Sequence, residues 1–491
     1  MLGTTKEDWK QRLPFIIGFI AFIYYVALSA DVYTWIFASS DSGDWLAAST
    51  IWMVPQPYGS PLYILLGHLL NLFPGDLVIK MTIILTCIPA AITVAVTYLS
   101  VLHLTHRVLH SLIASTVLMG SAVFVSQSTI LEEYGLTIMF VSLAFYAYLR
   151  NWKYRTVIFL GLGSAVHVIV IALAGFWILA DRRWKYWFGK PVLVYIVVGA
   201  PWYALIPILM YADTPRWLIG EASLVNLVAY WSGTGRTIIG MLSIFDAPAR
   251  IWFVVRVVVM SFGVALIPLF TNIYKPLTRT VAILVATVLF ILWYVVTCLD
   301  INAWTFLAIA SPAIAIMIGL GLSKMHIDHA FIIGITACML VIFNGVLLNA
   351  NTLTKQNDFA GAYYNQLDAL PSQSVVVVPA GAYSLGLFYS VANGHDLVPV
   401  IYPYMEEWEL FGMQGYSEYL TNKYGVHWES TLDAVQDCIE RDRPVYFIAT
   451  YDSPLTRCFV FQPDPEGVWY GKPYQIFGLT GLNPATIIEA K

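Results

Sequence analysis

Residues 39–49 read SSDSGDWLAAS and directly follow an apolar run that begins near residue 14. Asp41 and Asp44 therefore stand where a membrane helix would end. Apolar runs of this kind recur up to residue 349, and 59% of the residues are hydrophobic while only 11% are charged. Because a membrane-spanning helix needs about 20 mainly apolar residues, this pattern predicts a polytopic α-helical membrane protein.

The charge pattern and the short motifs exclude several other classes of protein. The net charge is -4, and the 26 basic residues form short clusters between apolar runs. A nucleic-acid partner is not expected, because no long basic surface could follow a phosphate backbone. The sequence also has no CxxC, HExxH, GxGxxG or Walker motif, so zinc, thiol-redox and nucleotide-binding sites have no local support.

The distribution of basic residues predicts the topology. Lys6, Lys10 and Arg12 precede the first apolar run, which indicates a cytoplasmic N-terminus and a retained first helix that reaches about Phe37. A single crossing from Thr156 to Ala180 would place the basic segment DRRWK outside, whereas two short helices meeting near His167 would return it to the cytoplasm, and we favour the second arrangement. The predicted spans, eleven helices in all, are 14–37, 77–102, 111–127, 134–149, the pair within 156–180, 190–211, 251–272, 280–298, 302–322 and 330–349.

Two long loops and a C-terminal domain are expected on the external side. Residues 1–349 form the predicted transmembrane domain, with external loops at 38–76 and 212–250. The first loop contains LYILLGHLLNLF (62–73), which is too short to span and is expected to lie in the membrane interface.

Residues 350–491 are expected to form a small external α/β soluble domain. SVVVVPAG, DLVPVIYP and RPVYFIATY are β-rich runs, and WESTLDAVQDCIERD has a helical pattern. Cys438 and Cys458 fall in this part of the chain, and the sequence leaves open whether they form a disulfide.

Asp41 and Asp44 are the strongest chemical signal. Three residues apart on a helix, they would face the same direction, and one could serve as a general base. The alternative is that both are solvated acids, one of them capping a helix that begins at about Trp45.

Other ionisable residues are predicted on the same face of the membrane. Glu132 and Glu133 lie at an external turn, His167 at the tip of the helix pair and Arg236 in the second external loop. Each has an ordinary alternative: a solvated turn for the glutamates, a buried and hydrogen-bonded imidazole, and an interfacial anchor for the arginine. Ionisable groups near membrane depth are costly, however, and tend to mark functional sites.

Several segments resemble one family. DSGDWLAASTIWMVPQPYGSPLYILLGHLLNLFP (41–74) resembles the first external loop of the transmembrane O-mannosyltransferase-like proteins of the GT-C superfamily. FVSQSTILEEYGLTIMF is similar to the family's Glu-Val-Tyr segment, GLGSAVH to its Gly-Leu stretch ending in His, and YWSGTGR to a later external-loop motif. VVVVPAGAYSLGLFY and RPVYFIAT resemble its C-terminal domain.

The resemblance implies a GT-C fold and transfer of a sugar, such as mannose, from a polyprenyl-phosphate carrier to an acceptor hydroxyl with inversion. It implies that Asp41 or Asp44 is the catalytic base, and we favour Asp41. Further implied roles are orientation of the acceptor or the loop by Glu132 or Glu133, lining of the site by Tyr134, and contact with the lipid phosphate by His167 and Arg236.

The first loop departs from the family pattern. Gln56 stands where the family usually has His, Tyr58 where it has Pro, and Ser60 where it has Tyr. These changes affect the expected sugar and acceptor more than the reaction class, and Gln56 and Tyr58 stay predicted substrate-binding residues. Since glutamine cannot carry a proton, a histidine role at that position is lost or moved.

The expected partners follow from the same reaction. They are membrane lipid, a lipid-linked sugar donor and a protein or glycan acceptor, with no metal and no cofactor beyond the donor substrate. A prokaryotic plasma membrane is favoured over the endoplasmic reticulum. Two other functions stay open, a secondary transporter and a non-catalytic glycolipid-binding protein on a GT-C scaffold.

Overall fold

The described part of the chain covers most of the helical region and parts of the C-terminal region. The computed structural model describes residues 8–30, 34, 42–52, 60–210, 247–272, 278–297, 303–352, 367–379, 396–402, 420–421, 424–428, 431–450, 459–469 and 472–482. The predicted site residues Asp41, Gln56, Tyr58 and Arg236 lie outside these ranges, as does Cys458.

The first helix, α1 (Asp8–Leu28), ends well before Phe37. Beyond it, the Ala30 N–H donates to the Thr129 carbonyl at 2.8 Å and no longer to a carbonyl of the helix. The prediction that this helix reaches Phe37 is therefore wrong at its C-terminal end. Hydropathy alone does not show where backbone N–H groups stop donating to carbonyls of the same helix.

Two short helices follow within the first predicted loop. They are α2 (Ser42–Ile51) and α3 (Pro61–Asn71), and α3 coincides with the apolar segment expected in the membrane interface. One face of α3 is buried, whereas large apolar side chains at and beyond its C-terminal end are 44–68% exposed. The buried residues are Leu62, Tyr63, Ile64 and Gly67, and the exposed ones are Leu69, Leu72 and Phe73. This two-sided character is what an interfacial helix requires.

The next helices form the centre of the bundle. They are α4 (Leu77–Met81), a π-helical turn (Thr82–Cys87), α5 (Ile88–Thr105), α6 (Val108–Gly120), α7 (Ala122–Ser128) and α8 (Tyr134–Leu149). The first three are continuous and make one long apolar helix from Leu77 to Thr105. Extended backbone at Ser121 separates α6 from α7, and the two helices are bent by 63°.

The pair of helices predicted around His167 is present. Helix α9 (Lys153–Val166) ends at His167, whose backbone is extended, and α10 (Ile169–Asp181) begins two residues later. After them come α11 (Trp184–Trp187), α12 (Lys190–Gly199), a 3₁₀ turn (Ala200–Ala204) and α13 (Leu205–Met210). The position of the break is thus as predicted, whereas the side of the membrane on which it lies stays a prediction.

The remaining helices complete the transmembrane part. They are α14 (Ala247–Phe262) with a 3₁₀ segment (Gly263–Asn272), α15 (Arg279–Thr297), a 3₁₀ turn (Ala303–Phe306), α16 (Leu307–Leu322) and α17 (Ile327–Thr352). Helix α16 lies in the interior, since most of its side chains are buried, whereas α14 and α17 expose many large apolar residues. Exposed apolar side chains on long helices are expected where lipid is the solvent.

The described residues include six helices that are long and apolar enough to span a membrane, or seven if the bent pair α6 and α7 forms one span. All of them coincide with predicted spans. The chain is an integral multi-pass membrane protein, while the prediction of eleven helices depends also on α1, α8 and the α9–α10 pair, which are shorter or broken. The exact number of crossings stays a prediction.

Glycines allow several helices to approach closely. A Cβ at Gly120 of α6 would lie 2.7 Å from the backbone nitrogen of Ile342 on α17, and one at Gly161 of α9 would lie 3.0 Å from the Tyr195 carbonyl of α12. Small residues at helix crossings are typical of membrane proteins, because association there depends on close packing.

A five-stranded mixed sheet follows the helices. Its order is β2-β1-β3-β5-β4, with β1 parallel to β2 and β3, and with β5 antiparallel to β3 and β4. The strands are β1 (Val375–Pro379), β2 (Val398–Tyr402), β3 (Val445–Thr450), β4 (Phe459–Trp469) and β5 (Lys472–Leu482), and helix α18 (Thr431–Glu440) contacts β2 and β3.

Strands β1 to β3 lie in the three predicted β runs, and α18 lies in the predicted helical segment. Strands β4 and β5 were not predicted. Pro463, Asp464 and Pro465 interrupt the β pattern of β4, and its pairing with β5 is irregular between Asp464 and Glu466. That residues 350–491 form a separate external domain stays a prediction.

Cys438 lies on α18 and is a free, buried thiol. Burial raises the pKa of this thiol to about 11, so it is protonated at neutral pH. The disulfide with Cys458 that the sequence left open is not formed in this structure.

Candidate active site

Helix α2 carries Asp44 and is held tightly against α3. The Nδ1–H of His68 donates to the Ser49 carbonyl at 2.8 Å, and the His68 ring lies 3.9 Å from the Trp52 ring. A Cβ at Gly67 would collide with Ser49, so only glycine permits this crossing. This packing holds the C-terminal end of α2, and in its first turn Asp44 and Trp45 are both 0% exposed.

Trp45 connects α2 to the turn between α7 and α8. Its indole Nε1–H donates to Oε2 of Glu132 at 3.4 Å, and the Tyr63 ring of α3 packs edge-on against the indole at 5.9 Å. Burial raises the pKa of Tyr63 well above its usual value, and the nearby carboxylates of Glu132 and Glu133 raise it further. Tyr63 is therefore a neutral phenol beside two acids.

The α7–α8 turn that carries Glu132 and Glu133 rests on the π-helical turn. The Thr86 hydroxyl donates to the Glu132 carbonyl at 3.4 Å, and the Cys87 thiol lies 3.5 Å from the Ser128 carbonyl. A Cβ at Gly135 would lie 3.1 Å from Cα of Thr86, so the two segments are in close contact. Irregular π-helical turns often occur at functional sites, and here the turn supports two buried carboxylates.

His167 faces Glu133 across the bundle. Its Nε2 lies 3.6 Å from Oε1 of Glu133, and both side chains are buried. Its Nδ1 accepts the backbone N–H of Ile169 at 3.1 Å, so the ring proton lies on Nε2, on the side of the carboxylate. The break between α9 and α10 thus fixes the tautomer as well as the position of the imidazole.

Aromatic rings surround this imidazole. The Tyr134 ring stacks on His167 with centroids 5.8 Å apart, and Phe306 packs edge-on against both rings at 5.2 and 5.5 Å. Tyr294 of α15 packs edge-on against Phe306 at 4.8 Å. Apolar walls of this kind lower the local dielectric and strengthen the interaction between charged groups.

We call Glu132, Glu133 and His167 the acid cluster. It joins the α7–α8 turn to the α9–α10 break, and α2 contacts it through Trp45, the residue that follows Asp44 in sequence. Asp44, Glu132 and Glu133 are 0%, 2% and 1% exposed. The alternatives of a solvated cap and a solvated turn are therefore wrong for these three residues, while their catalytic or binding roles stay predictions.

The structure includes only part of the predicted site. It brings Glu132, Glu133, Tyr134 and His167 into one region and buries Asp44 next to Trp45, which contacts Glu132, whereas the other predicted residues lie outside the described ranges. Those are Asp41, Gln56, Tyr58 and Arg236. Within the described part of the chain, no group of three His, Cys, Asp or Glu side chains could hold a metal ion.

The sequence did not point to Trp45, Tyr63 or Phe306. Each lies in an apolar segment where an aromatic residue is ordinary, so no local motif marks it. Trp45 and Tyr63 lie within the first-loop segment 41–74, and that position is the one feature of the sequence that could have identified them. Phe306 contributes through tertiary contact from a segment more than 130 residues away in sequence.

Comparisons with known proteins find one family model that matches part of the chain. Residues 41–186 match the family model described as the Protein O-mannosyl-transferase TMEM260 N-terminal domain. The match covers less than a third of the chain, so it shows a similarity of this region to that domain. The matched residues include every member of the acid cluster, whereas Arg236 lies beyond them.

Solved structures show a similar fold. ArnT from Cupriavidus metallidurans bound to undecaprenyl phosphate is similar to this chain with a TM-score of 0.66 at 12% identity, covering 96% of this chain and 98% of that one. The apo state of ArnT gives a TM-score of 0.59 at 11% identity, with the same coverage. The fold of this chain is therefore that of ArnT. No curated protein sequence matches the chain at a significant level.

Proposed function

We propose that the protein is an inverting glycosyltransferase that moves a hexose such as mannose from a polyprenyl-phosphate carrier to an acceptor hydroxyl at the external membrane face. The observation that carries this proposal is the acid cluster, in which buried carboxylates and a neutral imidazole meet inside the region that the O-mannosyl-transferase family model matches. Burying ionisable groups in a membrane protein costs free energy, and a role in sugar transfer would explain why they are present here.

The proposed reaction needs a base and a leaving-group site. Asp41, or else Asp44, accepts the proton of the acceptor hydroxyl, and the hydroxyl oxygen attacks the anomeric carbon of the sugar. The bond from that carbon to the phosphate oxygen breaks, the configuration inverts, and polyprenyl phosphate leaves. His167 and Arg236 are our candidates for contact with the phosphate, because N–H donors stabilise its developing charge.

The glutamates and the first loop would position the acceptor. Glu133 lies 3.6 Å from Nε2 of His167, whose orientation is set by the Ile169 N–H, and the indole of Trp45 donates to Glu132. Gln56, Tyr58 and Tyr134 are proposed to line the substrate site. No cofactor or metal enters this scheme, since the leaving group is already activated as a phosphate ester.

A polyprenyl-phosphate donor is supported by the fold and its neighbour. ArnT has the same fold and was crystallised with undecaprenyl phosphate. We propose that a protein or glycan is the acceptor, that the soluble C-terminal domain lies on the external side, and that the membrane is a prokaryotic plasma membrane.

Transfer of labelled sugar from polyprenyl-phosphate hexoses tests the function. The purified full chain in nanodiscs is given the mannose donor first, with protein and glycan acceptors. We expect Asp41→Asn to reduce transfer by about 10²-fold or more while donor binding persists, as loss of a general base requires. Asp44→Asn, measured in parallel, decides which acid is the base.

Asp76→Asn is the matched control. Asp76 is an exposed N-cap that accepts the Ile79 N–H at 3.2 Å, and asparagine caps helices equally well. Unchanged transfer in both test variants would reject the proposed base. Donor binding without transfer in the wild type would favour a glycolipid-binding protein, and absence of both would favour a transporter.

A further inference from the structure

A second polar site lies at the other end of the helices that carry the acid cluster. It is a cavity of about 620 Å³, which we call the basic groove, between the α8–α9 turn and the segment after α10. Its lining residues are Asn151, Lys153, Arg182, Arg183, Trp184, Lys185 and Tyr186. Four of these seven side chains are cationic, and two are aromatic.

The basic groove is distant from the acid cluster. Helix α8 has Glu133 directly before its first residue and reaches the groove at its last turn, and it is 16 residues long. At 1.5 Å per residue the two ends are about 24 Å apart. This separation is most of the thickness of the hydrocarbon core, so the two sites belong to opposite leaflets.

A buried carboxylate holds one side of the groove in place. Both carboxylate oxygens of Asp181 accept the Nε–H of Arg183, at 2.9 and 3.0 Å, and Asp181 also accepts the Tyr148 hydroxyl at 2.6 Å and the Trp187 indole at 2.8 Å. The Arg183 guanidinium in turn lies 4.6 Å from the Tyr186 ring. Arg183 is thus fixed in position and its charge is balanced.

The other three cations are not balanced in this way. Within the described part of the chain, no carboxylate lies within ion-pair distance of Lys153, Arg182 or Lys185. Three uncompensated positive charges around one cavity repel each other, which favours an anion between them.

The surroundings of the groove are those of a membrane interface. Trp184 and Phe188 are 54% and 49% exposed, and their rings pack together at 5.5 Å. Large exposed apolar side chains continue from the groove along two helices, with Phe176 and Leu179 on α10 and Leu193, Ile196 and Val197 on α12. Exposed aromatic residues mark the headgroup level, and apolar faces beyond them contact acyl chains.

We propose that the basic groove binds the phosphodiester headgroup of an anionic membrane lipid. Lys153, Arg182 and Lys185 surround the phosphate, and the acyl chains lie along the exposed faces of α10 and α12. The lipid belongs to the leaflet opposite the acid cluster and is not the sugar donor. The exposed apolar surface beside the cations favours a lipid over a soluble phosphate compound.

Native mass spectrometry of the purified full chain tests this site. Wild type and the double variant Arg182→Gln/Lys185→Gln are titrated with dioleoyl phosphatidylglycerol and with dioleoyl phosphatidylcholine. We expect tight, preferential binding of phosphatidylglycerol to wild type, and a loss of affinity of about tenfold or more in the variant. Both side chains are exposed, and size-exclusion profiles verify that the variant folds.

The double variant Arg279→Gln/Lys324→Gln is the matched control, since it removes the same charge at basic positions outside the groove. Equal loss of affinity in both double variants would overturn the proposal, because attraction would then be non-specific. Displacement of the lipid by an equal concentration of inorganic phosphate would also overturn it, because the groove would then be a site for soluble anions. Sugar transfer is not part of the readout, so the result is independent of the proposed function.

Discussion

Asp181 shows how a single carboxylate is accommodated in the apolar part of this chain. It is buried, and its two oxygens accept hydrogen bonds from Tyr148, Arg183 and Trp187. A buried charge is tolerated only when donors of this kind replace water. In the acid cluster, the indole of Trp45 on α2 donates to Glu132, a residue 87 positions away in sequence.

Replacing Asp181 with asparagine should destabilise the protein. The amide keeps one acceptor oxygen but removes the charge opposite Arg183, and its NH₂ group meets donors where an acceptor is needed. Because Arg183 is partly exposed, water offsets some of the loss, and we expect the free energy of unfolding to fall by about 2–3 kcal/mol. Unfolding by SDS titration in mixed micelles measures it.

Asp328→Asn provides the comparison for this measurement. The Asp328 side chain is 76% exposed. Its ion pair in the described part of the chain is with His326, whose ring is also exposed. Exposed pairs contribute little, so its effect should be within about 0.5 kcal/mol. Similar losses in the two variants would show that Asp181 contributes no more than a surface acid.

Individual site residues were predictable only where a motif or a charge marked them. Asp44, Glu132, Glu133 and His167 stand out as ionisable residues next to apolar runs. Trp45 and Tyr63 do not, because an aromatic residue in an apolar segment is ordinary. Their contacts with the glutamates depend on the crossing of α2 and α3, which the sequence pattern does not encode.

At the scale of elements, close helix crossings depend on single glycines. Gly120 ends α6 beside the backbone of Ile342 on α17, and Gly345 of α17 lies against the Gly120 carbonyl. Hydropathy predicted both helices well, because span length is a strong signal. It did not predict their contact, the 63° bend after Gly120 or the π-helical turn at Thr82–Cys87, since none of these changes the apolar character.

Substituting Gly120 with valine should separate α6 from α17. A Cβ at this position would lie 2.7 Å from the Ile342 nitrogen, and backbone cannot move aside as a flexible side chain can. Overpacking of this kind costs about 1–3 kcal/mol, which SDS titration would detect as earlier unfolding.

Gly175→Val is the control for the helix crossing. Around Gly175 of α10 there is open space within the described structure, so the added side chain should meet nothing. A loss at Gly175 as large as that at Gly120 would mean that helix propensity, and not the α6–α17 contact, explains the effect.

At the scale of the whole molecule, the acid cluster and the basic groove define two ends of the bundle. The positive-inside rule predicts that the groove end lies in the cytoplasm and the acid cluster on the external side. The fold class was predictable from the periodic apolar runs and the first-loop motif. The number of crossings was not, because short and broken helices such as α8, α9 and α10 can either cross the membrane or re-enter it.

Accessibility of introduced cysteines tests this orientation. Leu72 directly follows α3, whose Tyr63 packs on Trp45, and is 68% exposed, whereas Trp184 lies in the basic groove and is 54% exposed. In a background with Cys298→Ser and Cys458→Ser, we expect Leu72→Cys to react with a membrane-impermeant maleimide on right-side-out vesicles. Trp184→Cys should react only after the vesicles are permeabilised.

The native thiols give this experiment a low background, since Cys87, Cys338 and Cys438 are free but buried or partly buried. The reverse labelling pattern would place the acid cluster in the cytoplasm and contradict the proposed external reaction. Labelling of both cysteines before permeabilisation would show that the two ends do not lie on opposite sides.

The hydrogen bond from the Ile169 N–H to His167 has a consequence for proton transfer through the imidazole. An imidazole relays protons only if it can take one on each nitrogen, and here the Nδ1 lone pair is occupied by the backbone. Proton exchange at His167 is therefore confined to Nε2, on the side of Glu133. Protons therefore have no path through this ring from one nitrogen to the other, and Glu133 and His167 do not form a relay that continues beyond the imidazole.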